Sequence, residues 1–222
     1  MEDVINYLRK VRKGAMFLID APSGTGKGTI IKELMKRDDK LRFSVSVTTR
    51  PPRNNEVDGV DYYFISDEQY DKYKAEDAFY EYVDSQYGNR YATLRSEVDS
   101  FLNVGEDVIF DIDWVGARQM KEKAPDQVVT IYMLPPSIKE LRRRLEGRKT
   151  DSQEVIDKRM GMVVDKLVHW QEFDYVVVCD TVEDTVEKIR RIISGERMKR
   201  VRQQEGLSTV VNKLIEESKN DK

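Results

Sequence analysis

The run Ala21-Pro22-Ser23-Gly24-Thr25-Gly26-Lys27-Gly28-Thr29 holds the most concentrated chemistry in the chain. A phosphate chain is bound by backbone N–H groups pointing inward, and Gly24, Gly26 and Gly28 permit the curvature that aims them. The run follows an apolar stretch, AMFLID at 15–20, and opens a helical one, TIIKELMKR. A helix start at that point adds the positive end of its dipole. Lys27 would reach the β- and γ-phosphates as a point charge. Ala21 stands where such loops usually open with Gly, and Gly28 where Ser or Thr usually follows Lys. Either Thr29 or water alone would complete the shell of an accompanying Mg²⁺.

Residues 44–65 read SVSVTTRPPRNNEVDGVDYYFI. Together with the loop, this run resembles the guanylate kinases, whose pattern is close to SVSxTTRxPRxGExxGxDYxF. The resemblance extends from about residue 14 to 195 in the family's order. By position it implies that Ser46, Arg50, Arg53, Tyr62, Glu81, Tyr91 and Thr93 bind GMP. Their chemistry agrees. Arg50 and Arg53 offer rigid N–H forks suited to a phosphate dianion, and Tyr62 and Tyr91 can each add a donor. A hydroxyl such as Ser46 suits guanine O6, and a carboxylate such as Glu81 suits the N1–H and N2–H₂ edge. Adenine would leave Glu81 without a matching donor, at a cost of several kcal/mol. Asn55 stands where the family usually has Gly, a position Asn tolerates by accepting left-handed backbone angles.

DIDWVGARQ, with Asp111 and Asp113, resembles the family's DIDxQG segment, Val115 replacing the usual Gln. The resemblance implies that one aspartate orders Mg²⁺-bound water and the other the guanine amino group. Asp113 also suits the N-cap of a helix starting at WVGARQM. LEGR and IDKR put Arg148 and Arg159 where the family keeps its lid arginines, with Arg144 as a third. Positive groups closing over a transferring phosphoryl stabilise its spread charge. No general base is needed, because the attacking phosphate is already ionised. Lys27, Arg53, Arg148 and Arg159 are therefore the expected catalytic set. Cys179-Asp180 falls where the family has Asn-Asp beside adenine. Cys replaces an amide poorly, which implies a looser ATP base contact with activity retained.

These groups need a scaffold that brings them together. Short β-rich runs at 15–20, 43–47, 107–112, 128–134 and 174–179 are apolar on both faces and separated by helical patterns. Such runs are buried strands of a parallel sheet with helical crossovers. The spacing predicts an amphipathic helix over 153–170 and another over 181–195 capped by Gly195, then terminal helices ERMKRVRQQEG and LSTVVNKLIEES. The polar, Tyr-rich stretch after the second run forms an inserted subdomain, and the basic stretch 137–160 a mobile flap.

The chain has 222 residues, 38 basic and 41 acidic, and 39% hydrophobic residues, enough for one packed core. One Cys and one His exclude an internal disulfide and a structural zinc site. Cys179 is expected in the core, and His169 as a packing or capping residue. No apolar run approaches a membrane span, and the start lacks a secretory signal, so a cytoplasmic location is expected. A pI near 5.5 argues against a nucleic-acid partner. A homo-oligomer is compatible with all of this.

The resemblance implies an α/β three-layer P-loop kinase: core 14–45, 94–136 and 161–195, GMP-binding subdomain 46–93, helical lid 137–160 and a C-terminal helical extension 196–222. The implied activity is transfer of the ATP γ-phosphoryl to GMP. Two rivals are weighed. Gly28-Thr29 after Lys27 is similar to an adenylate kinase loop, but Ser46 and Glu81 favour guanine. A peptide-binding guanylate-kinase-like scaffold usually degrades the phosphate loop, and Lys27 is present here.

Overall fold

The computed structural model describes residues 4, 7, 8, 11–84, 88–147 and 152–220. Its centre is β1 (Met16–Asp20), buried along its whole length. Alternate β1 side chains face opposite ways, so one apolar run serves two cores. Phe17 and Ile19 pack with Ile30, Ile31 and Leu34 of α1 (Lys27–Arg37) and Val186, Ile189 and Ile193 of α8 (Val182–Arg197). Met16 and Leu18 pack with Val98 and Leu102 of α3 (Arg95–Leu102) and Ala117 and Met120 of α4 (Trp114–Lys123). The result is three layers, helix on sheet on helix.

The core sheet is parallel, in the order β2 (Leu41–Phe43), β7 (Asp107–Asp111), β1, β8 (Val128–Leu134), β9 (Tyr175–Val178). A second sheet has the order β4 (Tyr63–Phe64), β3 (Val47–Thr48), β6 (Arg90–Leu94), β5 (Phe79–Asp84). Val47, Phe79 and Ala92 pack there around Tyr70 of α2 (Asp67–Ala75). The run 43–47, expected as one strand, is divided: Phe43 closes β2, and Val47 opens β3 of the other sheet. Its apolar residues are shared between two cores.

Three helical expectations are corrected. The stretch 153–170 is broken into α6 (Gln153–Gly161), α7 (Val163–Leu167) and a 3₁₀ turn Val168–Glu172. Gly195 lies inside α8, which runs on to Arg197. The terminal pair is one helix, α9 (Arg200–Asn220). Its Gly206 is buried against the N-terminal segment, where an added Cβ would meet Val11 at 2.5 Å and Leu8 at 2.9 Å. Close approach, not chain termination, explains that glycine. The basic stretch contains α5 (Ile138–Glu146), anchored by buried Leu141 and Leu145. No helix among the described residues is long and apolar enough to cross a membrane.

Candidate active site

The functional side chains gather at the carboxyl ends of the core strands, where open parallel sheets form their ligand crevice. The phosphate loop leaves β1 at Asp20 and enters α1 at Lys27. Gly24 (φ 94°) and Gly26 (φ 103°) both adopt left-handed backbone, while Gly28 is helical. Gly24 carries a second constraint: a Cβ there would lie 2.8 Å from Leu145 of α5. The flap helix thus packs directly on the loop.

Two cavities flank the start of α1. One, about 370 Å³, is lined by Lys27, Ser46, Tyr62, Glu81, Tyr91, Thr93, Asp111 and Asp113, with Ser44 and Phe110 nearby. The other, about 410 Å³, is lined by Gly24, Thr25, Gly26 and Thr29 of the loop and by Arg144, Cys179 and Asp180. Gly26 lines one cavity and the next residue, Lys27, lines the other, so the start of α1 stands between them.

Within the first cavity Glu81 is 6% exposed and accepts a hydrogen bond from Thr93 Oγ1 at 2.8 Å. Burial, opposed by Thr93 and reinforced by Asp113, pushes its pKa up to about 7. β5 and β6 pair Glu81 with Thr93, which puts both on one face. Asp113 caps α4, accepting from the Val115 and Gly116 N–H groups at 3.1 Å. Asp111 accepts Lys27 Nζ at 2.6 Å. Tyr62 and Tyr91 meet edge to face, their ring centroids 5.9 Å apart.

Arg50 lies over the Tyr62 ring, 5.3 Å from its centroid, and grips Glu56 through two bonds of 2.8 and 2.9 Å. That pair, with Arg53 N–H, holds Glu56 down to about 2. Arg53 is exposed and borders a separate shallow depression with Asn54, Asn55 and Glu56. Arg53 is not among the residues that line the Lys27 cavity. Asn55 does not use left-handed backbone; among the described non-glycine residues only Asp77 has positive φ.

On the flap, Arg144 donates to Thr25 O at 3.2 Å and Asp180 O at 3.0 Å, bridging loop and base side. Arg159 is half-buried on α6, and Arg148 lies outside the described residues. Cys179 is in the core, its thiol pushed up to about 11 by burial. His169 stacks on Trp114 at 3.7 Å and pairs with Glu172, a packing role.

Sequence reasoning passed over Asp20. It is fully buried, with Oδ1 accepting Ala21 N–H at 2.7 Å and Oδ2 lacking a partner among the described residues. Thr25 Oγ1, in the loop, is likewise buried and unpartnered. The available signal was a charge closing an otherwise apolar strand. No cluster of three His, Cys, Asp or Glu side chains able to hold a bare metal ion forms among the described residues, so the orphaned oxygens and the carboxylates near Lys27 suit a cation only through its water shell.

A family model described as guanylate kinase matches residues 13–196. The chain is 45% identical over 207 residues to a guanylate kinase of Zymomonas mobilis, covering 93% of this chain and 95% of the relative. It is 46% identical to one of Novosphingobium aromaticivorans over 192 residues, 86% of each. The crystal structure of guanylate kinase from Anaplasma phagocytophilum superposes with a TM-score of 0.66 at 30% identity, covering 86% of this chain and 90% of that one.

Proposed function

This chain belongs to the guanylate kinase family and is an enzyme that phosphorylates GMP, and we propose that its phosphoryl donor is ATP, giving GDP and ADP, with Mg²⁺. The observation that carries this reading is a pair of cavities on either side of the start of α1, one lined by Gly26 and the other by Lys27. In it, GMP occupies the side lined by Ser46 and Glu81, and ATP the side lined by Cys179 and Asp180. A phosphate oxygen of GMP bonds to the γ-phosphorus while the bond to the β-bridging oxygen breaks, and ADP leaves with that electron pair. Positioning and charge stabilisation supply the catalysis.

The chain's own groups divide this work. The loop amides and Lys27 hold the triphosphate. Glu81, ionised, accepts from the guanine N1–H and N2–H₂ edge, and Ser46 serves O6. Arg50, Arg53, Tyr62 and Tyr91 hold the acceptor phosphate. Arg53 turns inward to do so, and Arg144, Arg148 and Arg159 gather positive charge over the transferring group. Mg²⁺, when bound, neutralises phosphate charge, and Thr29, Asp111 and Asp113 would hold it or its waters. Closure of the basic flap excludes water and so prevents ATP hydrolysis. In this reading the enzyme works in purine nucleotide metabolism and GMP recycling in the cytoplasm.

ADP release measured with GMP, AMP, UMP and dTMP in turn tests this. GMP should exceed the others by orders of magnitude. AMP turnover above that of GMP would favour the adenylate-kinase-like reading of Gly28-Thr29, and no turnover with any would leave a binding module.

A further inference from the structure

Asp20 closes β1 directly before the phosphate loop, with its side chain fully buried. Lys27 Nζ lies 3.7 Å from Asp20 Oδ1 and 2.6 Å from Asp111 Oδ1. The two aspartates sit at the ends of adjacent strands, where Ile19 is in register with Asp111. Lys27 therefore serves as the resident cation of two carboxylates. It is also the group that the β- and γ-phosphates must attract. Once it turns toward them, Asp20 and Asp111 face an added polyanion with their own cation withdrawn. Burial already opposes the charge on Asp20, with Lys27 and then Lys166 the main groups sustaining it. A buried carboxylate oxygen without a partner is costly, and a second cation in the place of Lys27 would offset that cost while keeping Asp20 ionised.

We propose that Asp20 makes nucleotide binding depend on the accompanying divalent cation. Its free Oδ2 accepts a water of the hydrated Mg²⁺ that travels with the triphosphate, and in the absence of Mg²⁺ its charge repels the bare nucleotide. Asp20 is thus a positioning residue that acts through water. Mg²⁺ keeps much of its hydration shell and typically meets a protein through one or two carboxylates plus phosphates, which suits this arrangement. The inference rests on the reading of ATP as donor.

Calorimetric titration of the full chain with a non-hydrolysable ATP analogue, in Mg²⁺ and in EDTA, tests it. The wild-type chain should bind more tightly with Mg²⁺. In Asp20→Asn the ratio of the two affinities should fall by about tenfold or more, the loss expected when a second-layer metal partner is removed. An unchanged ratio, with both affinities lowered equally or not at all, would overturn the proposal and leave the ATP reading standing. A wild-type chain that binds the analogue under neither condition would remove that reading and this inference with it. Should Asp20→Asn not fold, Lys27→Met decides. Without its resident cation the site should take up Mn²⁺ in the absence of nucleotide, seen as loss of the free-ion EPR signal. A folded Lys27→Met chain that leaves the signal intact would overturn the proposal.

Discussion

Asp107 and Asp20 are both fully buried, on neighbouring strands, at opposite ends of the core sheet. Asp107 opens β7 and is saturated: Arg12 grips both oxygens at 2.8 and 2.7 Å, Arg197 Nε adds 2.7 Å, and the Ala15 N–H adds 2.8 Å. Arg197 in turn reaches Asp38 at 2.8 Å. Asp20 closes β1 with one N–H, a lysine at longer range and an unpartnered oxygen. The same side chain at the same depth meets two different demands. At the amino end of the sheet, Asp107 is fully partnered and ties α8 and the N-terminal segment to the core, although Arg197 Nη2 beside it has no partner among the described residues. At the carboxyl end Asp20 Oδ2 and Thr25 Oγ1 are buried without partners among the described residues, close to the loop that opens α1. The two buried aspartates thus differ in how completely the fold itself partners them.

The largest expected effect is on the saturated end. Asp107→Ala leaves buried Arg12 without its carboxylate and half-buried Arg197 with Asp38 alone, and should cost about 3–5 kcal/mol in urea unfolding. A loss below about 1 kcal/mol, the range of an ordinary surface change, would break the contrast.

Glu81→Gln comes next, at the open end. It removes a charged acceptor from the guanine edge and should raise the KM for GMP by about 10²-fold, with the KM for ATP little changed. The same variant should be more stable than wild type at pH 8. The pKa of Glu81 is raised from 4.5 to about 7, so the folded state holds this proton more tightly than the unfolded one. The resulting stability is fully present below about 4.5 and lost as pH rises through about 7, a difference on the order of 3 kcal/mol. Thermal melts of the ligand-free pair at pH 4.5 and pH 8 check this, and a gap that fails to open toward pH 8 contradicts it. A smaller companion effect follows for binding. Guanine needs the ionised form, so wild-type KM for GMP should rise by about tenfold per pH unit below 7. A flat profile between pH 5.5 and 7 would mean that Glu81 does not accept from the base.

The smallest effect returns to Asp20. Asn keeps the acceptor for the Ala21 N–H and removes a charge that burial disfavours, so unfolding should change by about 1 kcal/mol or less. A loss comparable to that of Asp107→Ala would make Asp20 a structural group.

Much of this arrangement was legible because local chemistry and global position agree. The strand–glycine loop–helix sequence around Lys27 forms as its residue types require. Ser46, Tyr62, Glu81, Tyr91, Thr93, Asp111 and Asp113 line one cavity with Lys27. What escaped depended on distant partners. Apolar runs look alike whether one sheet or two bury them, which hid the division between Phe43 and Val47. Gly195 and Gly206 have the residue type of helix ends, yet the first lies within α8 and the second admits Leu8 and Val11 from the other end of the chain. The Arg50–Glu56 pair is a choice among competing carboxylates, invisible without coordinates. Asp20 is a single charge at a strand end, and its unpartnered oxygen appears only once its surroundings are known.

The central claim is that two nucleotides meet phosphate to phosphate at the start of α1. A crystal structure with GMP and a non-hydrolysable ATP analogue tests it most directly. The account predicts guanine against Glu81, the triphosphate in the loop, and both terminal phosphates beside Lys27. Phosphates pointing away from each other, or guanine bound outside the cavity of Ser46 and Glu81, would contradict it.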